Sequence, residues 1–351
     1  MFRDLAIRDL VLHARRWPGV LALALVLPLA GCATDSDSGS ESRANRPDTT
    51  PSASVPSGTG TGTATPAPGI REQLRVDGDV RQYLLHRPAS ASAADGSRPL
   101  VVAFHGRGAD AAELRAKTRL EKAATARGML VAFPEGLGHG WGAGTRATKQ
   151  RPDPDLDVRF TEALIEHLVR TERADPERVY VAGFSNGGSM ALRMAAERPD
   201  LLAGAASVSG QLPTGDAAAE PTGPVPVMVV YGADDPVRPL AGLPSPPPDP
   251  REPILPTRSA RDTAAAFAAA GGAGEPVTRE EKGYDRTVWR LGNDAPDDDD
   301  RPHGTVRLLV VHDAGHTWPG STVPPPEGFG PVSKALNATD TILDFFARPG
   351  S

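Results

Sequence analysis

In this sequence a predicted strand and a predicted helix meet end to end around one serine, a pattern that few folds can accommodate. Residues 178–184 form an apolar run that predicts a buried strand, and residues 186–197 predict a helix that begins almost without a loop. Glycines stand two residues before and two residues after Ser185, where they relieve the crowding of so sharp a turn. Such a turn holds a hydroxyl out in front of a sheet, as a nucleophile requires.

Short apolar runs alternate with helical patterns from residue 71 to residue 349, and residues 73–76 and 80–86 suggest a hairpin. This alternation predicts the α/β class, and specifically an α/β-hydrolase fold with a mostly parallel central sheet and helices on both faces. Strands are predicted at residues 73–76, 80–86, 99–104, 129–133, 178–184, 205–209, 225–231 and 306–312, and helices at 120–127, 155–171, 186–197, 258–270 and 333–346. Residues 240–256, dense in proline, and residues 293–304, with an acidic run, have the character of irregular insertions.

A serine nucleophile needs a base and an acid, and each has two candidates in the sequence. His312 and His316 both follow the last core strand, and His316 is favoured because it lies past the strand end in a loop. Asp234 and Asp235 both follow the strand at 225–231, and Asp235 is the preferred acid. The order Ser185, Asp235, His316 is the chain order of α/β-hydrolase triads.

The developing oxyanion also needs backbone donors. We expect these to be the N–H of Asn186, at the start of the helix, and the N–H of Arg107, in the glycine-rich loop that follows the strand at 99–104. His105, which opens that loop, is interpreted as a packed histidine that shapes it. This mechanism calls for no metal ion and no organic cofactor.

The segments "LVVAFHGRG", "VAFPEGLGHGW", "DPERVYVAGFSNGGSMA", "VYGADDPV" and "AGHTWPG" resemble the polyhydroxybutyrate depolymerase and feruloyl esterase family over about residues 73–347. The resemblance implies the same catalytic roles for Ser185, Asp235 and His316, and it implies that Trp141 and Trp318 lie near the cleft. The chain has one cysteine, so it lacks the disulfides that many members carry, and we expect no polymer-binding module after the catalytic domain. These departures from the family favour soluble or oligomeric esters, rather than solid polymer, as the substrate.

The first 31 residues have the pattern of a lipoprotein signal peptide. Four arginines precede an apolar run at residues 20–30, which is too short for a stable transmembrane helix. The run ends at Leu29-Ala30-Gly31-Cys32, which resembles a lipobox, so Cys32 is the predicted lipidation site. Twin-arginine export through Arg15-Arg16 remains an alternative. We then expect residues 32–70 to be a lipidated cysteine and a disordered Ser/Thr/Pro/Gly tether, and residues 71–349 to be the catalytic domain.

We therefore expect a membrane-anchored or released extracytoplasmic serine esterase acting on feruloyl or acetyl polysaccharide esters or on hydroxyalkanoate oligomers. The alternatives are an acyltransferase on the same fold and a non-catalytic cell-envelope binding lipoprotein. The expected partners are the ester substrate and, through Cys32, the membrane; no obligate protein partner is evident. A net charge of −6 and the lack of a basic, aromatic-interleaved patch argue against nucleic acid.

Overall fold

The computed structural model describes residues 69–89, 96–149, 151–244, 255–291 and 304–347. The predicted signal peptide, Cys32 and almost all of the tether lie outside the described residues. So do most of the proline-rich segment and nearly all of the acidic segment. In the described part of the chain, no helix is both long and apolar enough to cross a bilayer.

The described residues form one ten-stranded sheet, whose order is β1-β2-β4-β3-β5-β6-β7-β10-β9-β8. The neighbours from β4 to β10 in that order pair in parallel, and antiparallel strands extend both edges. The strands are β1 (Ile70–Val76), β2 (Asp79–His86), β3 (Arg98–Phe104), β4 (Leu130–Pro134), β5 (Ala174–Phe184), β6 (Gly204–Val208), β7 (Val227–Gly232), β8 (Val277–Glu281), β9 (Tyr284–Arg290) and β10 (Thr305–Val311).

Helices cover both faces of this sheet. They are α1 (Ala111–Thr118), α2 (Leu120–Ala126), α3 (Leu156–Glu172), α4 (Asn186–Glu197), α5 (Ala260–Ala270) and α6 (Ala338–Phe346). Apolar side chains of α3, α4 and α5 share one core cluster, and those of α1, α2 and α6 share the other. Along β5, Val179 and Val181 belong to the first cluster and Tyr180 and Ala182 to the second, as the alternation of a strand buried on both faces requires. The predicted α/β-hydrolase architecture is confirmed.

The parallel strands bring their carboxyl ends to one edge of the sheet. Strands β3, β5, β7 and β10 all end there, and the loops after them carry Arg107, Ser185, Asp235 and His316. Residues far apart in sequence therefore meet because their strands are near neighbours with the same direction.

Four elements differ from the predicted pattern. The last helix begins at Ala338, not at residue 333, because Asn337 caps it by accepting from the N–H groups of Thr339 and Asp340. The β8–β9 hairpin was not predicted, since β8 is mostly exposed at the sheet edge and lacks apolar alternation. Helix α1 was also missed, although Asp110 and Glu113 form a capping box at its start.

Candidate active site

Ser185 occupies the turn between β5 and α4 in a backbone conformation that residues with side chains rarely adopt. Its φ is 56° and its ψ is −118°, and its N–H donates to the Val208 carbonyl oxygen at 2.8 Å. A Cβ on Gly183 would lie 2.1 Å from the Gly187 carbonyl oxygen, and one on Gly187 would lie 2.1 Å from the Phe104 carbonyl oxygen. Both positions therefore require glycine, because a side chain there would collide with the neighbouring backbone. The strained backbone of Ser185 itself is typical of a functional turn.

Three predicted side chains meet at this turn in one hydrogen-bonded chain. His316 Nε2 lies 2.8 Å from Ser185 Oγ, and His316 Nδ1 lies 2.7 Å from Asp235 Oδ2. A carboxylate only accepts hydrogen bonds, so the imidazole proton resides on Nδ1 and the lone pair of Nε2 faces the serine hydroxyl. This is the arrangement that a general base needs in order to accept the serine proton.

The Asp235 carboxylate is held on its other side by the backbone that follows it. Its Oδ1 accepts from the Val237 N–H at 2.9 Å and from the Arg238 N–H at 2.7 Å. The side chain of Asp235 is fully buried, whereas Asp234 is exposed. The carboxylate therefore has a fixed position from which it can orient His316.

His316 is enclosed, and the enclosure affects its basicity. Its N–H donates to the Phe329 carbonyl oxygen at 2.7 Å, and the rings of Phe184 and Phe329 lie 5.1 and 5.3 Å from the imidazole. Burial lowers the pKa of His316 below its ordinary value, although the hydrogen bond and charge of Asp235 act in the opposite direction. The imidazole is thus neutral, and able to act as a base, at neutral pH. His312, the other candidate, pairs instead with Asp285 at 3.3 Å.

The two predicted oxyanion donors border the same cleft as Ser185. Asn186 is the first residue of α4, where the helix dipole favours negative charge, and its side chain exchanges hydrogen bonds with the backbone of Trp141. The loop carrying Arg107 is fixed by the Gly108 N–H, which donates to the His139 carbonyl oxygen at 2.7 Å. These contacts hold both residues beside the nucleophile.

His105 and the two tryptophans have mainly structural contacts. His105 is fully buried, and its Nε2 accepts from the Gly136 N–H at 3.0 Å. Trp141 donates from Nε1 to the His105 carbonyl oxygen and lines a small cavity beside the cleft. Trp318 donates to Thr339 and packs near Phe184, outside the cleft that contains Ser185. A role for either tryptophan in lining the substrate stays a prediction.

A cleft of about 520 Å³, here called the serine cleft, contains Ser185 and His316. Lys117 and Arg238 also line it, and sequence reasoning missed both. The Lys117 ammonium lies 4.3 Å from the centre of the Phe184 ring, and burial lowers its pKa. Arg238 also lines the smaller neighbouring cavity, here called the side cavity. Only the position of Arg238 three residues after Asp235 could have drawn attention to it.

The described residues contain no group of three or more His, Cys, Asp or Glu side chains arranged to hold a metal ion.

Comparison with known proteins points to esterases. The phospholipase/carboxylesterase family model matches residues 149–243, which include the Ser185 turn and Asp235. The chain is 42% identical over 277 residues to a protein of Nocardia uniformis subsp. tsuyamanensis named "Putative esterase NocK", an alignment that covers 77% of this chain and 80% of that protein.

A second relative is feruloyl esterase B of Piromyces equi, 30% identical over 148 residues, which are 40% of this chain and 27% of that protein. Among solved structures, an acetyl xylan esterase from Aspergillus awamori superposes with a TM-score of 0.51 at 15% identity, covering 79% of this chain and 99% of that one. The structural likeness shows a shared fold.

Proposed function

Because the chain belongs to the phospholipase/carboxylesterase family of α/β-hydrolases, we propose that it cleaves carboxylic esters through an acyl-enzyme formed on Ser185. Ester hydrolysis is the activity that the family and the esterase relatives support. The observation that carries the serine mechanism is the continuous chain of hydrogen bonds from Asp235 through His316 to Ser185.

In the first step, Ser185 Oγ attacks the ester carbonyl carbon while His316 Nε2 accepts the hydroxyl proton. The negative charge that develops on the carbonyl oxygen is stabilised by the N–H groups of Arg107 and Asn186. His316 then gives its proton to the departing alcohol oxygen, and the acyl group stays on Ser185. Asp235 stabilises the imidazolium that exists between these two proton transfers.

In the second step, water attacks the acyl-enzyme. His316 removes a proton from that water and later returns it to Ser185 Oγ, which releases the carboxylic acid and restores the starting state. An alcohol in place of water would give transesterification. Product analysis with and without an added alcohol or sugar separates these outcomes, and we expect the free acid to dominate in both mixtures.

For the substrate, we propose feruloyl or acetyl esters of polysaccharide fragments, which the named activities of the relatives support, or hydroxyalkanoate oligomers. We also propose that the enzyme acts outside the cytoplasm, anchored through a lipid on Cys32 or released. The support for this location is the sequence pattern of residues 1–32 alone.

The test of the serine mechanism is Ser185→Ala, assayed with p-nitrophenyl acetate. Removal of the nucleophile changes little core volume, so we expect a folded protein whose kcat falls by on the order of 10⁵-fold or more. Retention of wild-type activity in a preparation free of other esterases would contradict the proposal.

A further inference from the structure

Four arginines are buried in the described part of the chain, and one of them differs from the rest. Arg81 and Arg151 both pair with Asp157, and Arg193 pairs with Asp155 and Glu197. Such pairing is the rule because an unpaired buried charge is strongly unfavourable. Arg238, which is 8% exposed, pairs with no carboxylate of the described residues.

The Arg238 side chain makes one hydrogen bond within the described residues, from Nη1 to Ser189 Oγ at 3.1 Å. A guanidinium carries five N–H donors, so most of its donor capacity is unused. Asp235, whose charge acts on Arg238, is already engaged by His316 and by two backbone N–H groups. Burial lowers the pKa of Arg238, and the charge of Asp235 offsets this only in part. Among the described residues, this site therefore holds a desolvated cation without a counter-ion.

Arg238 lies near the reacting serine because its hydrogen-bond partner, Ser189, belongs to the first turn of α4. Ser185 precedes this helix, and Ser189 follows Ser185 by about one helical turn, which is about 5.4 Å. Arg238 borders both the serine cleft and the side cavity, so its side chain lies where these two spaces meet. Its backbone is also held firmly, since Tyr231 donates to its carbonyl oxygen at 3.0 Å and its own N–H donates to Asp235.

The other charges of the serine cleft are mainly positive. Arg107 and Lys117 line it together with Arg238, and Glu113 is its one acidic lining residue among those described. Glu113 is exposed, and its carboxylate caps α1 by accepting from the Asp110 N–H. An anionic group entering the cleft would therefore meet two further cations besides Arg238.

We infer that Arg238 is a specificity-determining residue that binds a carboxylate of the substrate, so that the preferred esters carry a carboxylate near the scissile bond. This inference rests on the proposed esterase function and narrows its substrate class. A planar guanidinium suits a carboxylate because the two groups can form paired, charge-assisted hydrogen bonds. Among the substrates proposed above, it favours hydroxyalkanoate oligomers, which end in a carboxylate, over neutral acetylated sugars.

The test compares matched esters that differ only in charge. On the alcohol side, 3-acetoxybutyrate is compared with 3-acetoxybutyramide, and on the acyl side monoethyl glutarate is compared with its terminal amide. The full chain should show kcat/KM about 10- to 100-fold higher for the carboxylate member of at least one pair. The pair that shows the preference identifies the side of the ester on which the carboxylate is bound.

The variants ask whether Arg238 is the cause of that preference. Arg238→Met should abolish the preference, chiefly through a higher KM for the carboxylate ester, and Arg238→Lys should restore part of it. The matched control is Arg127→Met, which removes an exposed arginine that pairs with Asp340 and Asp344 away from the serine cleft. The control should keep the wild-type ratio.

Several outcomes would overturn the inference. Equal kcat/KM values for both members of both ester pairs in the wild-type protein would overturn it before any variant is made. If Lys117→Met loses the preference for the carboxylate ester and Arg238→Met keeps it, the preference is due to Lys117 and not to Arg238. If Arg238→Met fails to fold, the wild-type comparison and Arg238→Lys still decide whether Arg238 causes the preference for the carboxylate ester. If the wild-type protein hydrolyses no ester at all, the proposed function fails and not merely this inference.

Discussion

Replacing Asp235 by asparagine should inactivate the triad through the proton position on His316. Oδ1 of Asp235 accepts two backbone N–H groups, so only the amide oxygen of an asparagine can occupy that position. The amide nitrogen must then face His316 Nδ1, where it donates. This reverses the direction of the 2.7 Å hydrogen bond that the carboxylate accepts in the wild type. The imidazole proton moves to Nε2, which faces Ser185 Oγ and can no longer accept its proton.

We expect kcat for p-nitrophenyl acetate at neutral pH to fall about 10⁴-fold, as in other triads held in the wrong tautomer. That factor corresponds to about 5.4 kcal/mol of lost transition-state stabilisation. The thermal unfolding midpoint should change little, because the substitution preserves shape. Asp234→Asn is the matched control and should retain activity, since Asp234 is exposed. An Asp235→Asn enzyme within tenfold of wild type, or a more severe loss in Asp234→Asn, would refute this reasoning.

Three further predictions concern pH, backbone packing and the lipid anchor. Because burial lowers the pKa of His316, kcat/KM should stay high as pH falls past 6.5, the ordinary histidine value, and decline only below it. A pH–rate profile with a non-ionising ester tests this, and an acid limb centred above 7 would contradict it. Gly183→Ala should lower the free energy of unfolding by about 1–3 kcal/mol or more, since its Cβ would meet the Gly187 carbonyl oxygen at 2.1 Å. Denaturant unfolding measures the loss against Gly274→Ala, which meets nothing within 4 Å and should be nearly neutral. Cys32→Ala should abolish metabolic labelling by a fatty-acid analogue while leaving esterase activity unchanged, and label retained on the variant would refute the lipobox interpretation.

The sequence was most informative where local pattern and chemistry coincide. The apolar strand, the glycine pair and the helix that follows identify the Ser185 turn, because a strand buried on both faces leaves a continuous apolar signal. His316 could be preferred to His312 from its distance past the strand, and the structure brings His316 within hydrogen-bonding distance of Ser185. Both inferences depend only on neighbours along the chain.

The cations of the serine cleft could not be found in this way. Lys117 belongs to α1, a helix with only three buried residues, and its proximity to Phe184 arises from tertiary packing. Arg238 is unusual because it lacks a carboxylate partner among the described residues, a property that depends on the positions of all neighbouring acids. Edge strand β8 was missed for a related reason, since its exposed side chains leave no hydrophobic period.

The role of Ser185 as the nucleophile of this esterase can be tested directly. The most direct measurement is treatment of the purified chain with a fluorophosphonate, followed by peptide mapping by mass spectrometry and by assay of residual activity. A nucleophilic serine activated by His316 should take up one phosphonyl group, at Ser185, with loss of ester hydrolysis in proportion to labelling. Label on a different residue, or full hydrolysis by a chain whose Ser185 is completely labelled, would contradict the claim.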